Sequence, residues 1–144
     1  MRLEGKVAVV TGAGSGFGAE MARRFAAEGA RVICADIDPA AAAAVASELG
    51  ERALGAGCDV ASAAEVERLA GTATGWAGRI DILVNNAAIS QKPRRIASID
   101  AAEVERLFAV NVISLLHAAT HLVPVMREGG GGSVINMASV TAIR

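Results

Sequence analysis

The strongest constraint on the fold is a regular alternation of short apolar runs with longer, alanine-rich stretches along all 144 residues. The apolar runs predict five strands, at residues 6–10, 31–35, 53–57, 82–84 and 133–137. Strands that are apolar throughout and are separated by helices form parallel sheets covered on both faces. The sequence therefore predicts an α/β fold with a doubly wound parallel sheet and a ligand site at the carboxyl ends of the strands.

Helix boundaries can be read from capping residues. Asp38 with the following Pro39 predicts a helix start, and Ser62 with Glu65 and Asp100 with Glu103 predict two more. The last of these helices should run to about residue 127. Apolar side chains recur along it at helical spacing and predict its buried stripe: Val104, Phe108, Leu115, Leu122 and Met126. Asn111 falls on that stripe, so a buried amide that needs hydrogen-bond partners is expected there.

Composition excludes several classes of protein. The formal net charge is −1 with both signs interspersed, which gives no electrostatic case for nucleic acid or an anionic membrane. We find no apolar run near the roughly 20 residues that span a bilayer, and no signal peptide at the start. Cys34 and Cys58 are far apart in apolar surroundings, which predicts reduced thiols and a cytoplasmic protein. Tyrosine is absent.

A glycine-rich loop, Thr-Gly-Ala-Gly-Ser-Gly-Phe-Gly, occupies residues 11–18 between the first strand and the first helix. Such a loop lets a pyrophosphate approach the backbone and the positive amino terminus of the helix. It lacks the Gly-Lys-Ser/Thr ending of a P-loop, but a methyltransferase loop in the same position stays possible. Asp36 ends the second strand, where a carboxylate can accept both ribose hydroxyls and would repel a 2′-phosphate. The two features together favour NAD over NADP.

Further motifs occur in order along the chain. Thr11, Gly12, Gly16 and Gly18 match a Thr-Gly-x-x-x-Gly-x-Gly loop, Asp59-Val60 follows the third strand, and Asn85-Asn86-Ala87 follows the fourth. With these motifs the whole chain resembles the classical short-chain dehydrogenase/reductase family, although Ala88 replaces the family's glycine. The resemblance implies one Rossmann-type domain over residues 1–144 with five of the family's seven strands. It also implies an NAD site whose residues are Thr11, Gly12, Ser15, Gly16, Phe17, Gly18, Asp36, Ile37, Asp59, Val60, Asn85 and Ala87, with Asp59 at the adenine and Asn86 structural.

The resemblance also supplies expected catalytic residues. Ser139 matches the serine that binds the substrate oxygen, and Asn111 matches a helix asparagine that bends its helix and holds a water of a proton relay. The implied reaction is hydride transfer between NAD(H) and a carbonyl or secondary alcohol. The family's catalytic tyrosine and the lysine four residues later are missing, so we expect that the chain stops before them and is inactive alone. A homodimer or homotetramer is expected of the full-length protein.

Three other interpretations stay open at this stage. A non-catalytic NAD-binding module or an inactive truncated relative would share every motif, whereas a methyltransferase would not need Ser139 or the asparagine motif.

His117 and His121 stand four residues apart on one helix, which suits zinc, but no third ligand is evident and no metal is expected. The run at residues 92–95, Lys-Pro-Arg-Arg, is predicted to be a solvated loop near the substrate entrance.

Overall fold

The structure is a computed structural model and describes residues 1–91 and 95–139, so most of the predicted loop at 92–95 lies outside the described residues. Its centre is a sheet of five parallel strands in the order β3-β2-β1-β4-β5. The strands are β1 Val7–Thr11, β2 Arg31–Asp36, β3 Ala53–Gly57, β4 Ile82–Asn85 and β5 Ser133–Asn136. This order is that of a Rossmann-type doubly wound sheet, which confirms the predicted fold class.

Helices cover both faces of the sheet. They are α1 Gly16–Ala27, α2 Pro39–Leu49, α3 Ala63–Ala77, α4 Ala101–Phe108 and α5 Ser114–Glu128. Short 3₁₀ turns precede β3 (Gly50–Arg52) and α4 (Ile96–Ser98). Alternate residues of each central strand face opposite sides: Val7 and Val9 pack with α3 and α5, and Ala8 and Val10 pack with α1 and α2. The predicted strands and helices therefore occur where the sequence placed them, within a residue or two.

The amino-terminal edge of the sheet is held by a buried carboxylate, Asp81. It accepts hydrogen bonds from the Val7 N–H (2.9 Å) and from the Arg79 guanidinium (3.0 Å from Nε), and the Lys6 ammonium lies 3.5 Å away. Burial alone would raise the pKa of Asp81, but the Arg79 and Val7 hydrogen bonds and the Lys6 charge outweigh it and hold that pKa below its usual value. Asp81 thus joins β1 to the start of β4.

The predicted caps are confirmed with one correction. Asp38 accepts hydrogen bonds from the N–H groups of Ala40 and Ala41, and Asp100 accepts one from Glu103. Ser62 accepts a long one (3.4 Å) from the Glu65 N–H. The capping box is wrong in its second half, because the Glu65 carboxylate accepts the Asp59 N–H at 2.7 Å while the Ser62 N–H donates to the Asp59 carbonyl. Glu65 therefore fixes the loop after β3.

The long helix departs from its predicted regularity. A π-helical segment, Ala109–Ile113, separates α4 from α5. The buried row runs four residues apart through Val110, Ser114, Ala118, Leu122 and Met126. The predicted stripe was right at Leu122 and Met126 but wrong at its first three positions, because Val104, Phe108 and Leu115 are exposed. The stripe was predicted with one constant α-helical period along the whole helix. The wider π turn shifts which residues face the core, so that period does not hold on both sides of it.

The same helix is long and apolar enough to be compared with a membrane-spanning segment. Ala101–Glu128 is 28 residues long, and its most apolar window has a mean hydropathy of 1.5, so by length and composition alone it could cross a membrane. By this measure of length and composition, the prediction that no apolar run approaches the roughly 20 residues that span a bilayer was wrong. One such helix is a weak indication, and here α5 packs against α3 and β4 along its buried row.

Candidate functional site

Gly12, in the loop between β1 and α1, and Gly18, in the first turn of α1, have other backbone packed against them. A Cβ on Gly12 would come within 2.9 Å of the Ala87 Cα, and one on Gly18 would collide with the Gly12 carbonyl. Gly12 and Gly16 have φ angles of +67° and +54°, which favour glycine. A Cβ on Gly16 would meet nothing within 4 Å, so space above the helix start stays open.

Asp36 is fixed at the end of β2 by two backbone donors. The Gly14 N–H donates to its Oδ2 at 2.8 Å, and the Asp38 N–H donates to its Oδ1 at 3.0 Å. A Cβ on Gly14 would lie 2.9 Å from the Asp36 carboxyl carbon, so only glycine permits this approach. Both oxygens keep a further lone pair that can accept a hydrogen bond from a ligand.

Thr11 and Asn86 fasten the glycine loop to β4. The buried Thr11 hydroxyl donates to the Val84 carbonyl (3.2 Å) and accepts the N–H groups of Asn86 (3.0 Å) and Ala87 (3.1 Å). The Asn86 amide donates to the Thr11 and Gly12 carbonyls. The structural role predicted for Asn86 is confirmed, and the Thr11 side chain acts within the fold by positioning the loop.

A cavity of about 310 Å³ opens beside this loop at the carboxyl ends of β1 to β4. Its described lining includes seven of the predicted cofactor residues: Gly12, Ser15, Asp36, Ile37, Asp59, Val60 and Ala87. Five others do not line it: Thr11, Gly16, Phe17, Gly18 and Asn85. Phe17 is 80% exposed at the start of α1, outside the cavity. The cavity thus joins four predicted segments that are distant in the sequence: the glycine loop, the end of β2, the acid after β3 and the asparagine motif after β4.

Asp59 enters the cavity from the loop after β3 and is held from two sides. Its Oδ1 accepts the Ala61 N–H at 2.9 Å, and its Oδ2 accepts a hydrogen bond from Arg106 Nη2 at 3.1 Å. Arg106 belongs to α4 and lines the same cavity. No sequence signal links two residues 47 positions apart, so Arg106 was missed.

Asn111 lies in the π-helical segment and is exposed, so the prediction of a buried amide was wrong. Its partners are nevertheless well defined. The Asn111 Oδ1 accepts the Ile89 N–H at 2.9 Å, and its Nδ2 donates to the Ile89 carbonyl at 2.8 Å. The Asn111 amide therefore bonds to both the N–H and the carbonyl of Ile89, as a neighbouring strand would. These bonds fix the segment after β4, whose Ala88 and Ile89 line the cavity.

Ser139 lies three residues beyond β5, at the same edge of the sheet as the cavity, and is exposed. The segment before it is tied to β4 by two hydrogen bonds. The Met137 N–H donates to the Asn85 carbonyl at 3.0 Å, and the Asn85 amide donates to Asn136 Oδ1 at 2.8 Å. Ser139 is not among the residues that line the cavity.

Cys58 also lines the cavity, and His117 contacts the backbone of Val60, which lines it too. Burial, with the Glu65 and Asp59 charges, raises the pKa of the Cys58 thiol to about 11, so it is protonated and unreactive at neutral pH. His117 Nδ1 lies 3.1 Å from the carbonyl of Val60, which joins α5 to the loop after β3. Within residues 1–91 and 95–139, no group of three His, Cys, Asp or Glu side chains is placed to hold a metal ion.

Comparisons with known proteins agree with this architecture. The family model described as short chain dehydrogenase matches residues 6–144. A doubly wound sheet with a glycine loop and an acid after β2 defines a Rossmann-type fold, and within it the chain belongs to the short-chain dehydrogenase family. Membership removes the methyltransferase alternative.

Relatives and solved structures resemble the chain over nearly all its length. It is 39% identical to 7alpha-hydroxysteroid dehydrogenase of Escherichia coli (strain K12), covering 99% of this chain and 56% of that protein. It is 42% identical to sorbitol dehydrogenase of Cereibacter sphaeroides, covering 96% and 54%. The structure of 3-ketoacyl-(acyl-carrier-protein) reductase from Brucella melitensis complexed with NADH has a TM-score of 0.93 and 42% identity, covering 97% and 60%. The chain spans about half the length of the curated relatives it matches.

Proposed function

We propose that the protein is an oxidoreductase that transfers a hydride between NAD(H) and a carbonyl or secondary alcohol substrate. The observation that carries the proposal is the cavity in which the glycine loop faces an Asp36 carboxylate held by two backbone N–H groups. The glycine positions fit a dinucleotide, because Cβ atoms are excluded at Gly12 and Gly18 while space stays open at Gly16. Related proteins named as dehydrogenases, and one structure holding NADH, support the same class.

The preference for NAD over NADP rests on charge. Among the described residues that line the cavity, Asp36 and Asp59 are acidic and Arg106 is the one basic residue, already paired with Asp59. A 2′-phosphate beside Asp36 would place like charges together, whereas ribose hydroxyls would donate to the carboxylate. When bound, the nicotinamide ring supplies or accepts the hydride.

The chain's own residues would orient the reactants. We assign Ser139 to hold the substrate oxygen by hydrogen bonding, and Asn111 to hold a water of a proton relay beside the segment that it fixes at Ile89. General acid–base catalysis still needs a group that exchanges a proton near the working pH. In the family that group is the catalytic tyrosine, and the 144 residues contain no tyrosine. We therefore propose that these residues by themselves turn over no substrate.

Absorbance of NADH tests the proposal in the full-length protein. With a panel of secondary alcohols and ketones, we expect NAD-dependent turnover that falls by about 100-fold or more in Ser139→Ala, in the range for loss of one catalytic hydrogen-bond donor. NAD binding in that variant should be unchanged. Tight NAD binding with no turnover on any substrate would instead favour the second candidate, a non-catalytic NAD-binding module.

We also propose a homodimer or homotetramer, and a cytoplasmic location. Support for assembly comes from an exposed apolar row on the long helix, formed by Val104, Phe108, Val112, Leu115 and Leu116. Several large apolar side chains exposed along one helix are typical of an interface. The location is supported by Cys34 and Cys58, which are both buried and free, as expected where thiols stay reduced.

A further inference from the structure

We infer that Arg106 is a positioning residue for the adenosine half of the dinucleotide, acting through Asp59. The inference rests on the proposed function and assigns a role to a residue outside the family motifs discussed above. Arg106 lies on α4, a different element from the loop that carries Asp59, and its guanidinium donates to Asp59 Oδ2 at 3.1 Å. Both side chains line the cavity.

The hydrogen bonds of Asp59 show what Arg106 adds. The Asp59 N–H is held by the Glu65 carboxylate at 2.7 Å, and Oδ1 is held by the Ala61 N–H at 2.9 Å. These contacts come from the same loop and the start of α3. The bond from Arg106 reaches Oδ2 from a separate element, α4, so it sets the plane of the carboxylate and leaves a lone pair on each oxygen for a ligand donor such as an exocyclic amine.

Arg106 also changes the charge that a ligand meets. A dinucleotide carries a pyrophosphate, and two carboxylates, Asp36 and Asp59, line the described part of its cavity. The Arg106 guanidinium offsets one of them at close range. The side chains of Arg106 and Asp59 are 44% and 27% exposed, and a pair this open adds little to fold stability. Its loss should therefore weaken nucleotide binding far more than folding.

Binding calorimetry on the full-length protein tests this role. Arg106→Gln should weaken ADP-ribose about tenfold, as expected for one charge-assisted hydrogen bond, and change nicotinamide mononucleotide by less than about twofold. In an Asp59→Asn background the same substitution should change ADP-ribose affinity by less than about twofold, because the acceptor it orients has already been altered. This coupling separates action through Asp59 from a general effect of charge.

Arg23→Gln is the matched control. Arg23 is 40% exposed and is paired with Glu48 at 2.7 Å on α2, so the same kind of ion pair is lost away from the cavity. It should leave both ligands unchanged, and all variants should keep the wild-type melting temperature within a few degrees. Unchanged ADP-ribose binding in Arg106→Gln, an equal loss for both ligands, or an ADP-ribose loss of the same size beside Asp59→Asn would each overturn the inference. A wild-type protein that binds neither NAD nor ADP-ribose would overturn the proposed function first, and this role with it.

Discussion

Gly14 shows how one missing side chain shapes the site. Its N–H reaches Asp36 only because no Cβ intervenes, and an alanine there would place a Cβ 2.9 Å from the carboxyl carbon and 2.8 Å from the Ala41 Cβ. The sequence marked the loop as glycine-rich and Asp36 as its partner. It could not show that Gly14 is the residue that joins them, because that depends on how closely the loop and β2 approach.

Gly14→Ala should therefore weaken NAD binding by about tenfold or more, because the substitution displaces the Asp36 carboxylate. Gly71→Ala is the control, since a Cβ there meets nothing within 4 Å and the position is inside α3. That substitution should stabilise the protein by about 0.5–1 kcal/mol without changing NAD affinity. Calorimetry and thermal unfolding measure the two effects, and equal NAD affinities for the two variants would contradict the role of Gly14.

Cysteine reactivity gives a second prediction at this scale. Burial raises the pKa of Cys34, and burial with neighbouring charges that of Cys58, to about 11. At pH 8 both native thiols should react with a disulfide reagent about two orders of magnitude more slowly than in the unfolded chain. NAD should slow Cys58 further and leave Cys34 unchanged, because only Cys58 lines the cavity. Fast labelling of the native protein at both sites would contradict the burial described for them.

Among the elements, the strands were the most predictable, because β1 and β2 are almost wholly buried and read as apolar runs. The long helix was the least predictable. It carries apolar residues on two faces, and the sequence alone could not show that Val110 and Ala118 face the core while Phe108 and Leu116 do not. The π segment at Ala109–Ile113 shifts the phase further, and within it Asn111 bonds to Ile89, a contact that the sequence alone could not show.

The Asp81 cluster predicts how the joint between β1 and β4 responds to pH. The pKa of the Asp81 carboxyl is lower in the folded protein than in the unfolded chain, where it is about 3.9. The ionised carboxylate therefore stabilises the fold above about pH 3.9, and this stabilisation is lost as the pH falls from there towards the pKa of the folded state. Asp81→Asn should cost about 1–3 kcal/mol at pH 7 in urea unfolding, and the difference from wild type should shrink near pH 3. Glu67→Gln, at an exposed site on α3, should change little at either pH. A deficit for Asp81→Asn that is the same at pH 7 and pH 3 would contradict this account.

For the whole molecule, the doubly wound parallel sheet and the edge that carries the site followed from the β-α alternation and right-handed crossovers. Contacts between residues that are distant in the sequence could not be predicted from it, as the hydrogen bond from Arg106 to Asp59 shows. Assembly also belongs to this scale, and it depends on the exposed apolar row of the long helix, of which the predicted stripe placed Val104, Phe108 and Leu115 in the core.

Light scattering should give a dimer or tetramer for the full-length protein at micromolar concentration. Leu116→Glu, which places a charge in the exposed apolar row, should shift it towards the monomer. Ile96→Glu, at an even more exposed position outside the helix, should not. A monomeric wild-type protein would contradict the proposed assembly.

Calorimetric comparison of NAD and NADP on the full-length protein tests the central claim most directly, because the claim depends on the Asp36 carboxylate facing a ribose. We predict that NAD binds at least about tenfold more tightly than NADP, and that Asp36→Ala narrows the gap chiefly by weakening NAD. NADP binding as tightly as NAD, or a preference that Asp36→Ala leaves unchanged, would contradict it.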